Sequence, residues 1–305
     1  MRIVTLTLSP AFDVHCGTKS FMAERENLMD SLQRGIGGKG INISRALTEN
    51  GTKNLALVVV GDENGDDFLR GMDVCGLTER KVITVKGRIR ENITVHPEVG
   101  AETRISFKGF TAEPTLFESV SRLTEADQDT VVTFTGSLPG GIGGDAAEAF
   151  LDCITRTGAR LVIDSKSVTL DMLIRLKPWL IKPNSEELSV YFGELDENGV
   201  VEAAKRLHAD GIGNALISLG EKGAVLACDE GVFMAKPPHI EAVSTIGAGD
   251  SMIAGFIAAA KEPAEVRLRT AIAYGTAACL TEGTNPPKPS KIKEIARVTE
   301  VIKVL

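Results

Sequence analysis

The sequence predicts an α/β fold built around a parallel β-sheet. Short runs of β-branched and other apolar residues alternate along the chain with amphipathic stretches, most of which end at Gly or Asn. This alternation is typical of βαβ units, in which a helix crosses over between two parallel strands. With 305 residues, of which 43% are hydrophobic, the chain is long enough to bury the core that such a sheet requires.

Each strand and helix is predicted from its own segment, in chain order. The predicted strands are IVTLTL at 3–8, LALVVVG at 55–61, TVVTFTG at 130–136, RLVID at 160–164, WLIKP at 179–183 and NALISLG at 214–220. The predicted crossover helices are INISRALTENG at 41–51, DDFLRGMDVCG at 66–76 and DAAEAFLDCITRTG at 145–158. The second half is predicted to be wound like the first, and its tail from Ser244 onward to be mostly helical, with the last two helices at 266–283 and 290–305.

Two segments interrupt this rhythm, from about residue 12 to 34 and from about 88 to 110, and neither is followed by a crossover helix. The stretch ENITVHPEVGAETRISF in the second segment predicts two strands around a glycine-containing turn. We expect both segments to contribute antiparallel strands to a small sheet that acts as a lid. The predicted lid is 12–34 and 88–110, and the predicted main domain is 1–11, 35–87 and 111–305.

Composition and charge exclude several classes of function. A net charge of −7 argues against a broad electrostatic surface for nucleic acid or anionic lipid. We find no signal-peptide pattern and no apolar run of membrane-spanning length, so a cytoplasmic location is expected. The five cysteines and four histidines are scattered without metal-binding spacing, so neither a zinc site nor a Ser/His hydrolase is predicted.

The glycine-rich stretch GIGGKG at 35–40 matches the GxGxxG pattern of dinucleotide-binding proteins. That pattern belongs directly after the first strand of its domain, whereas here the first strand ends near Leu8 and an inserted segment intervenes, which disfavours a dehydrogenase. A Walker A loop does not fit either, because Gly40 occupies the position of the required Ser or Thr. Two interpretations stay open: a ligand approaching a helix N-terminus beside Lys39 and Asn42, or a tight turn with a solvated lysine.

A second glycine-rich stretch, STIGAGDSMIAGF at 244–256, precedes an apolar helix. Gly247 and Gly249 allow backbone conformations that other residues avoid, and the N–H groups of a helix's first turn form an anion site. The carboxylate of Asp250 would repel the ligand of a simple anion site. Phosphoryl transfer, however, needs both an electropositive site for the phosphate and a base beside the attacking hydroxyl. The alternative is that Asp250 only begins the helix, where Asp is common.

The chain resembles the pfkB/ribokinase family of sugar kinases over nearly its whole length, and its motifs occur in the same order as in that family. STIGAGDSMIAGF resembles the C-terminal signature of that family, and GIGGKGINISRAL at 35–47 resembles its first signature. The other similar stretches are TLTLSPAFDV at 5–14, TGSLPGG at 135–141, IKPNSEEL at 181–188 and ISLGEKGAVL at 217–226. The resemblance implies a ribokinase-like αβα domain of Rossmann type that binds ATP and Mg²⁺, with a small β-sheet lid over the sugar.

The resemblance also implies roles for individual residues. Asp250 is implied to be the general base that takes the proton from the acceptor hydroxyl. The implied donors to the transferring phosphoryl group are the N–H groups of Gly247, Ala248 and Gly249. The implied sugar-binding positions are Asp13, Gly38, Lys39 and Asn42. The implied nucleotide-binding positions are Lys182, Asn184, Ser218 and Gly220, and Glu187 is implied to bind Mg²⁺ through water.

Two lid arginines bear on the substrate. Arg90 and Arg104 fall where phosphosugar-using members of the family resemble one another in carrying arginine, and a guanidinium binds phosphate through paired hydrogen bonds. Ser137 is implied to add a hydroxyl contact. The resemblance therefore implies a phosphohexose kinase, with fructose 1-phosphate, fructose 6-phosphate and tagatose 6-phosphate as candidate acceptors. A phosphosugar-binding regulator without catalysis is the alternative from another class. The resemblance also implies a homodimer formed through the lid.

Overall fold

Two β-sheets and ten α-helices make up the computed structural model, which describes residues 1–304. The strands are β1 (Arg2–Thr7), β2 (Ala11–Ser20), β3 (Ser31–Gly37), β4 (Leu55–Gly61), β5 (Arg80–Val85), β6 (Arg90–Val99), β7 (Thr103–Ser106), β8 (Thr130–Thr135), β9 (Arg160–Asp164), β10 (Leu180–Ile181), β11 (Asn214–Ser218), β12 (Ala224–Cys228), β13 (Gly231–Lys236) and β14 (Glu300–Lys303). The helices are α1 (Lys39–Glu49), α2 (Gly65–Val74), α3 (Leu116–Thr124), α4 (Gly144–Arg156), α5 (Leu170–Leu176), α6 (Ser185–Phe192), α7 (Glu197–Ala209), α8 (Ala248–Ala258), α9 (Ala264–Ala278) and α10 (Pro289–Val298).

The main sheet has ten strands in the order β14-β13-β12-β11-β10-β9-β8-β1-β4-β5. Strands β5 to β11 in this order are parallel, as the alternating pattern predicts. Helices cover both faces, so neighbouring residues of one strand enter different apolar layers: Val131 of β8 packs in one and Val132 in the other. The resulting αβα arrangement explains why the strands are nearly continuous apolar runs.

The far end of this sheet differs from the prediction. Strands β11 to β14 are antiparallel. For β12 and β13 the reason is local, because only two residues join them and a connection that short permits only an antiparallel pair. The predicted helix at 290–305 is also wrong beyond Val298. Residues Glu300–Lys303 instead form the edge strand β14 against β13, and residue 305 of that prediction lies outside the described residues.

The two interrupting segments form a separate four-stranded sheet in the order β3-β2-β6-β7. Strands β2 and β3 are antiparallel, as are β6 and β7, which confirms the predicted pair of strands around a glycine-containing turn. The central pair, β2 and β6, is parallel rather than antiparallel, with Ala11 opposite Arg90. Both segments leave the main domain side by side and in the same direction, so their first strands run together.

Aromatic packing attaches the four-stranded sheet to the main domain. The ring of Phe12 meets that of Phe68 in α2 edge to face at 5.5 Å, and the guanidinium of Arg34 lies 3.5 Å above the Phe12 ring. Ile36 packs against Gly71 of α2. Among residues 1–304, no helix combines the length and the apolarity needed to cross a membrane.

The start of α1 lies so close to β1 that a side chain would not fit at Gly40. A Cβ there would collide with the carbonyl oxygen of Leu6 and the hydroxyl of Thr7, whereas a Cβ on Gly35 of the same stretch meets no atom within 4 Å. We predict that Gly40→Ala lowers the free energy of unfolding by about 1–3 kcal/mol, because a packed interior tolerates added volume poorly. Gly35→Ala is the matched control, and equal loss in both variants by urea denaturation would contradict the prediction.

Candidate active site

The candidate site lies where the N-terminus of α1 meets the N-terminus of α8. Asn42 Nδ2 donates to Asp250 Oδ2 at 2.9 Å, which joins the two glycine-rich stretches across 208 positions of sequence. Strands β8, β9 and β10 point their carboxyl ends at the same place, because parallel strands of one sheet end at the same edge. The structure thus brings the main sequence-predicted residues together.

Asp250 lies in the first turn of α8 and is only 6% exposed. The helix begins at Gly247, which has φ +79°, and no side chain caps it, so Asp250 is not serving as a helix cap. The pKa of Asp250 is raised to about 6, mainly by burial and also by the nearby Asp164 carboxylate, against the opposing effects of Lys39, Asn42 and Lys182. A carboxyl group in these surroundings can exchange a proton near neutral pH.

Lys39, the first residue of α1, forms an ion pair that the sequence did not predict. Its Nζ lies 2.9 Å from Oδ2 of Asp164, the last residue of β9. Burial lowers the pKa of Lys39, but Asp164, Asp250 and Glu187 more than offset it, so the pKa lies above its usual value. The lysine is therefore charged and paired, and 37% of its side chain remains exposed. An acid at the carboxyl end of a buried strand was the available sequence signal for Asp164.

Gly38 and Asp13 lie beside this ion pair, at the junction of the two sheets. Gly38 has φ +122°, and a Cβ there would lie 2.8 Å from Thr7 Cγ2. The Asp13 carboxylate packs directly against Gly37 and accepts a hydrogen bond from Asn92 Nδ2 at 3.1 Å. Asn92 is a second residue that the sequence analysis missed, and its position two residues after Arg90 in an alternating strand was the only signal.

The predicted phosphate-binding residues share one face of the four-stranded sheet. Register places Asn92 opposite Asp13 and Thr94 opposite Arg104, so these side chains lie on the same side as Arg90. Arg90 is half-buried, and its Nε is buried with no hydrogen-bond partner among the described residues, whereas Arg104 is exposed. This face therefore offers two guanidinium groups and a carboxylate to a polar ligand.

Ser137 lies in the loop that follows β8. The preceding residue, Gly136, adopts φ +81° and packs against the side chain of Lys39. No hydrogen bond connects Ser137 to the other predicted residues in the part of the chain that the structure describes. The structure thus places Ser137 one residue after the glycine that packs against Lys39.

The predicted nucleotide residues follow the carboxyl end of β10. Lys182 is 6% exposed, and its Nζ would lie 3.0 Å from a Cβ on Gly249, so the ammonium group lies against the first turn of α8. Asn184 begins α6 and forms a reciprocal capping box with Glu187. The cap occupies Glu187 Oε2 and leaves its other carboxylate oxygen available.

Ser218 and Gly220 lie at the end of β11. Ser218 pairs with Asn184 in an isolated bridge, which connects it to the β10–α6 junction. Gly220 has φ +61° and starts a short 3₁₀ turn at Gly220–Lys222, without a described contact to the other candidates. The structure therefore brings Ser218 to the site and leaves Gly220 at its edge.

A cavity of about 440 Å³ opens between β9, β10 and α6. Its walls include Asp164, Lys182, Asn184 and Glu187. Within residues 1–304, no group of three or more His, Cys, Asp or Glu side chains is arranged to hold a metal ion. Two carboxylates in one cavity still fit Mg²⁺, because this ion is usually held by one or two carboxylates together with substrate phosphates and water.

Comparisons with known proteins agree with this geometry. The family model described as pfkB family carbohydrate kinase matches residues 9–291. The chain is 35% identical over 283 residues to 1-phosphofructokinase of Escherichia coli (strain K12), covering 89% of each chain. It is 32% identical over 309 residues to 1-phosphofructokinase of Rhodobacter capsulatus, covering 99% of this chain and 98% of the relative.

The fold comparison gives the same result. The crystal structure of phosphofructokinase-2 from Escherichia coli in complex with potassium superimposes with a TM-score of 0.90 at 26% identity, covering 97% of this chain and 98% of that one. The matched family model spans both glycine-rich stretches and the residues collected around Asp250. The chain therefore belongs to the pfkB family of carbohydrate kinases.

Proposed function

We propose that this protein is a 1-phosphofructokinase, which transfers the γ-phosphoryl group of ATP to the C6 hydroxyl of fructose 1-phosphate and forms fructose 1,6-bisphosphate. The observation that carries the proposal is the buried carboxyl of Asp250, which has a pKa of about 6 and lies beside two lysines at a helix N-terminus. Relatives named 1-phosphofructokinase that match over most of the chain support the choice of acceptor.

Asp250 acts as the general base. Its carboxylate accepts the proton of the C6 hydroxyl while the hydroxyl oxygen attacks the γ-phosphorus, and the bond to the β-phosphate oxygen of ATP breaks in line with that attack. The hydrogen bond from Asn42 Nδ2 at 2.9 Å fixes one carboxylate oxygen and leaves the other to face the acceptor. A pKa near 6 leaves the group mostly ionised at neutral pH and still basic enough to take a proton.

The first turn of α8 stabilises the charge on the transferring phosphoryl group. The N–H groups of Gly247, Ala248 and Gly249 lie at the positive end of the helix, and the Lys182 ammonium packs against the same turn. Ala248 N–H already donates to Thr245 O in a long bond of 3.3 Å, so it contributes less than its neighbours. Because a carboxylate beside this turn would repel phosphate, the two site lysines are needed to balance it.

Nucleotide and metal are placed at the carboxyl ends of β9 and β10. Lys182 and Asn184 bind the phosphate side of ATP, and Ser218 lines the nucleotide site with Gly220 at its edge. Asp164 and the free oxygen of Glu187 would hold Mg²⁺, directly or through water. When bound, Mg²⁺ neutralises charge on the β- and γ-phosphates.

The four-stranded sheet binds the sugar phosphate and acts as a lid over it. The lid comprises residues 12–34 and 88–110, and the rest of the chain is the main domain. Asp13 and Asn42 hold sugar hydroxyls beside Gly38 and Lys39. Arg90 and Arg104 bind the phosphate that the substrate already carries, with Ser137 adding a hydroxyl. Tagatose-6-phosphate kinase and 6-phosphofructokinase would use the same base and fold, but their acceptors carry the phosphate on C6 rather than on C1.

The outward face of the four-stranded sheet carries the exposed apolar side chains Leu32, Ile105 and Phe107, which support a homodimer formed through this sheet. A cytoplasmic location follows from the expected role in sugar metabolism. A phosphosugar-binding regulator on the same fold would bind both ligands but release no ADP.

We predict that Asp250→Asn lowers turnover by about 10²- to 10⁴-fold, because the amide keeps the shape of the carboxylate and cannot accept the proton. The measurement is steady-state ADP release with fructose 1-phosphate. Asp145→Asn is the matched control, because Asp145 is an exposed acid in the first turn of α4. Turnover within a few fold of wild type in the Asp250 variant would remove the base from the mechanism.

A pH dependence follows from the raised pKa of Asp250. The carboxylate is the active form, so kcat/KM should be half-maximal near pH 6, level off as pH rises above it and fall as pH drops below it. The stability change has the opposite sign. Because the folded-state pKa is raised, the stabilising contribution is fully present below the ordinary value of 3.8 and is lost as pH rises through about 6.

Asp250→Asn should therefore be more stable than wild type at pH 8, by about 1–3 kcal/mol, and this advantage should shrink towards pH 4. Thermal unfolding of both proteins across this range is the measurement. An advantage of equal size at pH 8 and pH 4 would show that burial of charge at Asp250 is not its cause.

A further inference from the structure

We propose that Asn64 is a positioning residue for Arg90 and thereby sets the affinity for the phosphate that the acceptor sugar carries. This inference rests on the proposed function, in which Arg90 binds that phosphate. Asn64 lies outside every sequence motif discussed above, in the loop between β4 and α2.

Asn64 satisfies both backbone groups of a single residue, Ile89. Its Oδ1 accepts from Ile89 N at 2.8 Å and its Nδ2 donates to Ile89 O at 3.1 Å. The pair is buried, since Asn64 is 7% exposed and Ile89 fully buried. Backbone pairing between β4 and β5 ends at Gly61 and Val85, so the Asn64 side chain replaces the strand partner that Ile89 would otherwise need.

The side chain of Asn64 makes these bonds instead of capping a helix. Asn64 stands at the N-cap position of α2, where Asn is among the favoured capping residues, yet it makes no side-chain cap bond there. The Asn64 side chain could cap α2 but instead bonds Ile89, which lies 25 positions further along the chain. This choice indicates that the backbone at Ile89 must be held in place.

Neighbouring bonds hold the same segment from both sides. Asp62 Oδ1 accepts from Gly87 N at 2.8 Å, and Glu63 N donates to Gly87 O at 3.1 Å. On the other side, Phe110 N donates to Arg88 O at 3.0 Å. The path of residues 87–89 is thereby fixed just before the chain enters the four-stranded sheet.

The path of residues 87–89 sets the position of Arg90. This arginine directly follows Ile89, begins β6 and has a buried Nε without a hydrogen-bond partner among residues 1–304. Since no protein group holds the guanidinium at Nε, the direction of the side chain depends on the backbone that precedes it. Release of Ile89 would therefore misplace Arg90 without removing any group that touches the substrate.

The test compares wild type with Asn64→Ala, Arg90→Ala and the double variant in steady-state kinetics with fructose 1-phosphate and Mg-ATP. We expect Asn64→Ala to raise the KM for fructose 1-phosphate by about tenfold, because small errors of placement weaken charged contacts strongly, while the KM for ATP changes less than about twofold. In the Arg90→Ala background, the same substitution should add no further rise in KM, because the group it positions is gone.

Asn214→Ala is the matched control. Asn214 is the first residue of β11, at the opposite end of that strand from Ser218, and is 3% exposed. Like Asn64 it makes two side-chain hydrogen bonds, donating to Trp179 O at 2.7 Å and accepting from Arg267 Nη1 at 3.0 Å. It should lose thermal stability with no change in the KM for fructose 1-phosphate. If Asn64→Ala does not fold, Asn64→Asp takes its place, because it keeps the acceptor for Ile89 N and loses the donor to Ile89 O.

The outcomes separate this inference from the proposed function. Independent, multiplicative effects of the Asn64 and Arg90 substitutions, or an equal rise in the KM for ATP, would overturn the positioning role and leave the kinase assignment intact. Unchanged kinetics in Arg90→Ala alone would overturn both the positioning role and the proposed phosphate contact.

Discussion

The burial of a carboxyl group between two helix N-termini is the constraint on which the site depends. Asp250 lies out of water, so its charge needs compensation, and Asn42 and the lysines Lys39 and Lys182 provide it. These partners come from α1 and from the residue that follows β10, which requires α1, β10 and α8 to meet at one edge of the main sheet. The close approach of α1 to β1, possible because residue 40 is glycine, brings Asn42 to that edge.

In the proposed reaction, the two sheets bind different substrates. The carboxyl ends of the main sheet present lysines, a helix N-terminus and two carboxylates, which suit the phosphates and metal of a nucleotide. The four-stranded sheet presents one polar face with two arginines and a carboxylate, which suits a sugar that already carries a phosphate. Packing of Phe12 on Phe68 and of Ile36 on Gly71 fixes the second sheet to the main domain at its base.

Much of this arrangement could be predicted from the sequence, because local patterns determine the alternating strands and helices and the glycine-rich starts of α1 and α8. The pairing of Lys39 with Asp164 could not be predicted, since it depends on which strands become neighbours. The same limit applies to Asn64, whose local sequence suggests a helix cap and whose partner lies 25 positions away. The sequence of β14 predicts a helix, whereas its pairing with β13 is a tertiary contact that overrides local propensity.

The most direct test of the account measures ADP release by the purified protein with Mg-ATP. Fructose 1-phosphate, fructose 6-phosphate, tagatose 6-phosphate and unphosphorylated fructose are offered side by side. The account predicts the highest kcat/KM for fructose 1-phosphate and little activity with fructose, because Arg90 and Arg104 would have no phosphate to bind. Equal use of fructose and its phosphates, or no ADP release with any of them despite ATP binding, would contradict it.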